Sequence, residues 1–336
     1  MSFVSIGDLS RGFALRTQNA EIKARMNRLG EEVTTGVTAD TAAHLNGDFR
    51  ALGAIERSLK VMDSYDIATK EAAFATDAMQ LALERVDDAV QILSPGFLNA
   101  STMNYSSTID RLGDEARSWL DISIATLNGE AGGRTLFAGA ATDKAALASG
   151  EDIFAEVRTA VTGATTAQDV LDAIDVWFDT PGGGFETLGY LGSDTPAGPV
   201  RLNERNSMTL DVTASDPVIR GVLKNLVAGA LLSDDTVLAG DTAERATLAG
   251  AIGEGLLRTA SDLATLRGDV GTAQARIEAI KTENAASRNM LELARLDMIE
   301  IDPYQAASEF QAAEAQLETV YTITARLSRL SLADYL

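Results

Sequence analysis

The residues able to do chemistry are few and badly placed for it. His44 is the only histidine and cysteine is absent, so one imidazole without thiolates cannot complete the usual zinc ligand sets. A Ser–His–acid triad would have to use His44, and no Gly-x-Ser-x-Gly elbow is present. Asp40, Asp48, Asp87/Asp88 and Asp234/Asp235 are the carboxylates that could pair. Paired carboxylates do acid–base work only where burial drives their pKa values apart, and helices this acidic predict solvated faces instead. No calcium-loop pattern occurs. Gly250-Ala251-Ile252-Gly253-Glu254-Gly255 has its glycines in the wrong order for a dinucleotide fingerprint, and it precedes a heptad run. Gly132-Gly133-Arg134-Thr135-Leu136-Phe137-Ala138-Gly139 lacks the Gly-Lys-Ser/Thr ending of a phosphate-binding loop. Its glycines are expected to turn the chain at a helix end, with Leu136 and Phe137 anchoring the turn. These residues predict no catalytic, metal or cofactor site, and hence no enzyme.

The elements that would have to position such residues are of another kind. Leu256, Leu263, Val270, Ile277, Asn284 and Leu291 recur every seven residues, with Leu266, Ala273 and Ile280 three further on. That is an a/d seam, and Asn284 is a polar residue of the type that fixes register or partner. A helix from Leu256 to Ile301 would be on the order of 70 Å long. Asp302-Pro303 interrupts it, and the pattern restarts with Phe310, Ala313, Leu317, Val320, Thr324 and Leu327. At the other end, Leu15, Ile22 and Leu29 are seven apart, and Gly36 ends their helix. Leu52, Ile55, Leu59 and Met62 begin a stripe that Met79, Leu83, Val86, Val90 and Leu93 continue, and Ser94-Pro95-Gly96 is expected to stop it. Ile109, Leu112, Ala116, Trp119, Ser123 and Leu127 mark one more helical face.

Between Gly129 and Pro217 the chain gathers glycine, proline and threonine. Ser207–Val212 alternates as a strand does, and Thr165/Thr166 opens a helix with Val170, Ile174 and Trp177 on one face. Asp216-Pro217 is a cap and first-turn pair for the helix that carries Ile219, Leu223, Leu226 and Ala230. The expected fold is mainly α: a long antiparallel coiled-coil or helical-bundle rod formed by both termini, with an inserted, mixed, β-containing middle domain. Its expected parts are 1–40 with 303–336, 41–139 with 216–302, and 140–215.

Composition agrees with thin helical seams, for aromatics are only 5% of the 336 residues. The formal charge of −21 disfavours nucleic acid and anionic membranes as partners. The first residues, Met1-Ser2-Phe3-Val4-Ser5-Ile6-Gly7-Asp8, lack the basic start and apolar run of a cleaved secretory leader. No stretch approaches the roughly 20 apolar residues that span a bilayer.

With that layout in view the chain resembles the flagellin family, and within it the branch at the hook–filament junction. The resemblance is carried by Leu29-Gly30-Glu31-Glu32-Val33-Thr34-Thr35-Gly36, by Leu136-Phe137-Ala138-Gly139 with Thr142, by Tyr190-Leu191-Gly192, and by Arg326–Leu336. An Asp-Asp-Pro-Ala element after the first helix and a Pro-Phe after the middle motif are missing. The resemblance implies an extracellular, mechanical subunit of the bacterial flagellum, exported without a cleaved signal peptide: an adaptor ring joining hook to filament. It implies neighbouring copies of itself, a hook-side hook-associated protein and flagellin as partners, and an export chaperone on the C-terminal helix. The implied assembly interface is Leu15, Ile22, Leu29, Phe310, Leu317, Val320, Leu327, Leu330, Tyr335 and Leu336. A filament flagellin and a non-flagellar secreted coiled-coil scaffold are the alternative readings.

Overall fold

The structure, a computed structural model, describes residues 6–103 and 105–333. It is mainly α, with long helices at both ends of the chain. Among the described residues the helices are α1 (Ile6–Thr35), α2 (Thr41–His44), α3 (Arg50–Met103), α4 (Ser106–Leu127), α5 (Gly150–Ala160), α6 (Ala167–Asp179), α7 (Pro217–Ala230), α8 (Thr242–Ile299) and α9 (Pro303–Ala333). Two short antiparallel hairpins complete the set, β1 (Glu130–Ala131) with β2 (Arg134–Thr135), and β3 (Val200–Arg201) with β4 (Ser207–Met208).

The chain forms two compact units, Met1–Met62 with Ala286–Leu336, and Asp63–Ala285. The three-part division expected above is not the one observed. Residues 140–215 do not cluster as a separate unit, because Leu147, Ile153, Val157, Phe178 and Phe185 enter the same core as Leu83 of α3, Leu120 of α4 and Leu256 of α8. A Thr/Gly/Pro-rich surface looks like an insert in one dimension, while its apolar residues are satisfied only against the helices.

Local signals set most helix boundaries. Asp216 caps α7 by accepting from the Val218 amide, with Pro217 in the first turn. Asp302 accepts from Tyr304 and Gln305 at the start of α9. Thr166 and Asp169 form a reciprocal capping box on α6, whose Val170, Ile174 and Trp177 face the core as expected. Gly36, at φ 73°, ends α1.

Three local readings are overturned. Ser94-Pro95-Gly96 does not stop a helix, since α3 runs straight through Pro95. Pro95 is exposed, so its missing amide falls on the solvent side, while buried Ser94 donates to the Gly253 carbonyl at 2.9 Å. Packing of the turn against α8 outweighs the local preference. Pro95→Ala is therefore expected to raise unfolding free energy by about 1–3 kcal/mol, read from the denaturation midpoint; a loss would show that the proline itself is needed there. Gly132 and Gly133 do not close a helix either. They are the turn of the β1–β2 hairpin, both at positive φ, as a two-residue connection of this type requires. The expected strand at Ser207–Val212 is reduced to the two residues of β4. Helix α5 was not foreseen; Ser149 caps it, with Gly150 at its first position. A side chain at Gly150 would run into the Asp121 carboxylate of α4.

The a/d seam of α8 is buried in this unit. Leu256, Leu263, Val270 and Ile277 all face inward. Its polar member, Asn284, donates to the Leu202 carbonyl at 2.8 Å and so fastens the β3–β4 hairpin, whose Leu202 and Met208 pack on Ala72, Ile277 and Ile280. Arg267 pairs with Asp87 at 2.9 Å and Gln274 donates to Asp77 at 2.6 Å, which sets α3 and α8 antiparallel. Buried Arg245 binds Asp110 at 2.6 Å and the Leu232 carbonyl, tying α8 to α4 and to the turn after α7.

Candidate assembly surface

Most of the chemically suggestive residues have structural occupations. His44 is exposed at the end of α2, and Asp40 is that helix's cap. Asp48 grips Arg50 through two oxygens, at 3.0 and 2.7 Å, and these bonds hold its carboxyl below the ordinary range. Asp87 is the partner of Arg267, and Asp88 lies 3.5 Å from Arg85. Asp234 accepts from the Thr236 hydroxyl and amide, bonds that lower its pKa. Gly253 and Gly255 let α8 approach its neighbours: a Cβ would strike Leu98 of α3 at the first and Asn225 of α7 at the second. Gly139, at φ 60°, is closed in by the carbonyls of Ser193 and Thr195, and Ala140 and Ser193 complete the clasp by backbone hydrogen bonds of 2.9 Å. Tyr190 donates to the Ser193 carbonyl at 2.9 Å in the same clasp. Among the described residues, no three His, Asp or Glu side chains stand close enough to hold a metal.

What remains is the terminal unit. α1 and α9 lie antiparallel, with Gly30 against the Phe310 ring and Arg25 paired to Glu309 at 3.1 Å. The Arg25 hydrogen bond, helped by Gln305, holds the Glu309 carboxyl below its usual range. This pairing is made above the ordinary carboxylate pKa and is lost as pH falls through the lowered one. Lys23 sits 5.7 Å from the Tyr321 ring centre and lowers the phenol's pKa. Beyond α1 the chain is clasped to the α8–α9 junction, with Thr38 donating to Ile299 at 2.8 Å and Ile301 to Gly36 at 3.1 Å.

The residues expected to face other subunits lie differently. Leu29 (4% exposed), Ile22 and Val320 are buried, and Leu15, Phe310 and Leu317 are half-buried, along the seam that α1 and α9 share within one chain. A heptad finds the inner seam of a helix pair because that is the face with the 3.5-residue period. Tyr335 and Leu336 lie outside the described residues, as do the side chains of Leu327 and Leu330. Among the described residues, the large apolar residues left on the outside of this unit are Phe13, Val33, Phe49, Val61, Met290, Leu293, Leu296, Tyr304, Tyr321 and Ile323. They follow no simple period, so nothing in their spacing distinguished them. Along α9 from Gln311 to Ala325 the only charged residues are Glu314 and Glu318.

Residues 257–336 match the family model of the bacterial flagellin C-terminal helical region. No curated protein matches the chain by sequence. Among solved structures, a protein assigned as a flagellar hook-associated protein of Vibrio parahaemolyticus is similar with a TM-score of 0.52 and 13% identity, over 75% of this chain and 99% of that one. Bacillus cereus FlgL is similar with a TM-score of 0.51 and 15% identity, over 73% of this chain and all of the other. Among the described residues no helix is long and apolar enough to cross a membrane. Residues 257–336 are thus similar to the flagellin C-terminal helical region, and the fold is similar to that of these two proteins.

Proposed function

We propose that this chain is a structural subunit of the bacterial flagellum that forms an adaptor ring between hook and filament. The observation that carries the reading is the outer face of the α1–α9 pair. Its inner seam is satisfied within the chain, yet Tyr321 and Ile323 stand exposed on a stretch of α9 with two charges in fifteen residues, in a chain of net charge −21. Such a face is unfavourable in water and suits close packing against other helices. The flagellar proteins sharing the fold support the same reading.

The role is mechanical. Neighbouring copies would cover the outer faces of α1 and α9 laterally, with a hook-side hook-associated protein below and flagellin above. Before export through the flagellar channel, a chaperone would shield α9. The interface takes in the exposed Phe13, Tyr304, Tyr321 and Ile323 beside the half-buried Leu15, Phe310 and Leu317.

Deletion of the gene tests the proposal. Hooks without filaments, with flagellin shed into the medium and both restored by the gene in trans, are the expected result. Intact filaments in the deletion strain would overturn it. Long filaments grown from the purified protein alone would favour a filament subunit.

A further inference from the structure

Asparagine followed by glycine is a pair that can react with itself, and this chain has it twice, at Asn46-Gly47 and Asn128-Gly129. The backbone nitrogen of the glycine, its proton taken by hydroxide, attacks Cγ of the asparagine and closes a five-membered succinimide ring. The Cγ–Nδ2 bond breaks, and that nitrogen leaves as ammonia with a proton from water, which restores the hydroxide. Water then opens the ring at either carbonyl. One opening gives an aspartyl residue in the original chain; the other gives an isoaspartyl residue, through which the chain runs by way of Cβ and Cγ. One water is gained for one ammonia lost, and nothing is oxidised or reduced. Glycine favours the attack because no Cβ crowds its nitrogen.

The fold treats the two pairs differently. Asn128 is the C-cap of α4, directly after the fully buried Leu127. Its side-chain amide is held at both ends, since Nδ2 donates to the Leu147 carbonyl at 2.9 Å and Oδ1 accepts from the Leu147 amide at 2.8 Å. Gly129 is fixed as well, donating to Thr126 at 3.0 Å and accepting from Leu136 at 3.2 Å. Bringing the Gly129 nitrogen onto Asn128 Cγ would break these bonds and loosen Leu147, a core residue.

Asn46 and Gly47 are exposed, at φ 51° and 76°, in the turn between α2 and α3. Among the described residues nothing hydrogen-bonds the Asn46 side chain. A Cβ on Gly47 would meet nothing within 4 Å. The pair is restrained through its backbone, with Asn46 donating to Ala43 at 3.2 Å and Gly47 to Ala42 at 2.9 Å. Both acceptors belong to α2, a helix of four residues with none buried. Opening that turn uncovers no apolar core, and water replaces the bonds lost, so it belongs to the low-cost end of local opening.

We infer that Asn46 is a self-modifying site, where the α2–α3 turn converts with time to aspartyl and isoaspartyl forms while Asn128 stays intact. The product places a new carboxylate two residues from Asp48, which grips Arg50 at the first residue of α3. The isoaspartyl form also adds one atom to the backbone path there. The turn thereby carries a chemical record of the molecule's age. None of this depends on the adaptor-ring reading.

The test is to hold the full-length protein at mildly alkaline pH and to map its peptides over days by mass spectrometry, with electron-transfer fragmentation to identify isoaspartate. The expected result is exchange of ammonia for water in the peptide carrying Asn46, with isoaspartate among the products, at least tenfold faster than at Asn128. In urea, which releases both pairs, the two rates should converge. Asn46→Gln, whose longer side chain must close a larger and slower ring, should remove the early release of ammonia. Equal rates in the folded protein, or a faster reaction at Asn128, overturn the inference. Aspartate at position 46 without isoaspartate overturns it too, because that is direct hydrolysis with no ring. So does an Asn46 still intact in the folded protein when the urea-treated chain has fully reacted, since α2 would then protect it.

Discussion

Phe178→Ala is expected to lower the unfolding free energy of the Asp63–Ala285 unit by about 3–5 kcal/mol, the range for truncating a fully buried aromatic whose site cannot collapse. Phe178 has no exposed surface, and it joins Trp177, Phe185 and Tyr190 in the one place where this aromatic-poor chain concentrates rings. Its ring lies 4.7 Å from Trp177 edge-on and 5.4 Å from Phe185 in a stack. Those neighbours come from α6 and from the segment after it, each pinned elsewhere: Tyr190 by its bond to Ser193, and α6 by its capping box and by Lys224 of α7 at Asp175 and Asp179. The lining has little freedom to move in, so both the transfer free energy and the cavity are lost. Urea denaturation followed by near-ultraviolet circular dichroism measures this directly. A loss below about 1 kcal/mol would mean that the ring cluster repacks, and that the middle segment is more plastic than its burial implies.

Leu29→Asp is expected to abolish filament attachment while sparing the other unit. Leu29 sits on the α1–α9 seam near the Gly30–Phe310 contact, and a carboxylate there would be buried among apolar side chains while Arg25, one turn away, is already paired with Glu309. Burying an unpaired charge costs several kcal/mol, more than one narrow seam between two helices can absorb. The pair should separate, and helices that depend on tertiary packing then melt. The expected reading is a fall in far-ultraviolet ellipticity matching up to the 30 residues of α1 and 31 of α9, with the Asp63–Ala285 transition unchanged. On cells, the variant should reproduce the bare hooks expected of the deletion. Ala24→Asp, on an exposed face of the same helix, is the control for charge alone on the fold. Normal helicity in Leu29→Asp would show that the terminal pair does not depend on this seam.

The two substitutions also mark where one-dimensional reasoning succeeded and where it stopped. Caps and periods are local, and they were readable: Asp216-Pro217, Asp302-Pro303, Thr166 with Asp169, and the seven-residue recurrence of Leu256, Leu263, Val270 and Ile277 each stand where the residues required. The mainly helical class followed from them, as did the long helices at both termini.

Relations between distant segments were another matter. Asn284 announced a polar position on a seam, but only the fold shows that its partner is the Leu202 carbonyl, 82 residues away in sequence. Pro95 reads as a stop, yet Ser94 and Gly253 hold its turn against α8. Gly150 opens a helix at a point where Asp121 leaves no room for a side chain. Gly268 and Gly271 look like Gly253 and Gly255 in the chain, and become different only once the space around each is known. Residue types and spacing therefore determined which segments are helical and which face of each is apolar, since backbone preference and period act within a few turns. Which apolar face is covered within the chain, and which is left for a neighbour, was decided by tertiary packing, because burial is a property of what arrives from elsewhere.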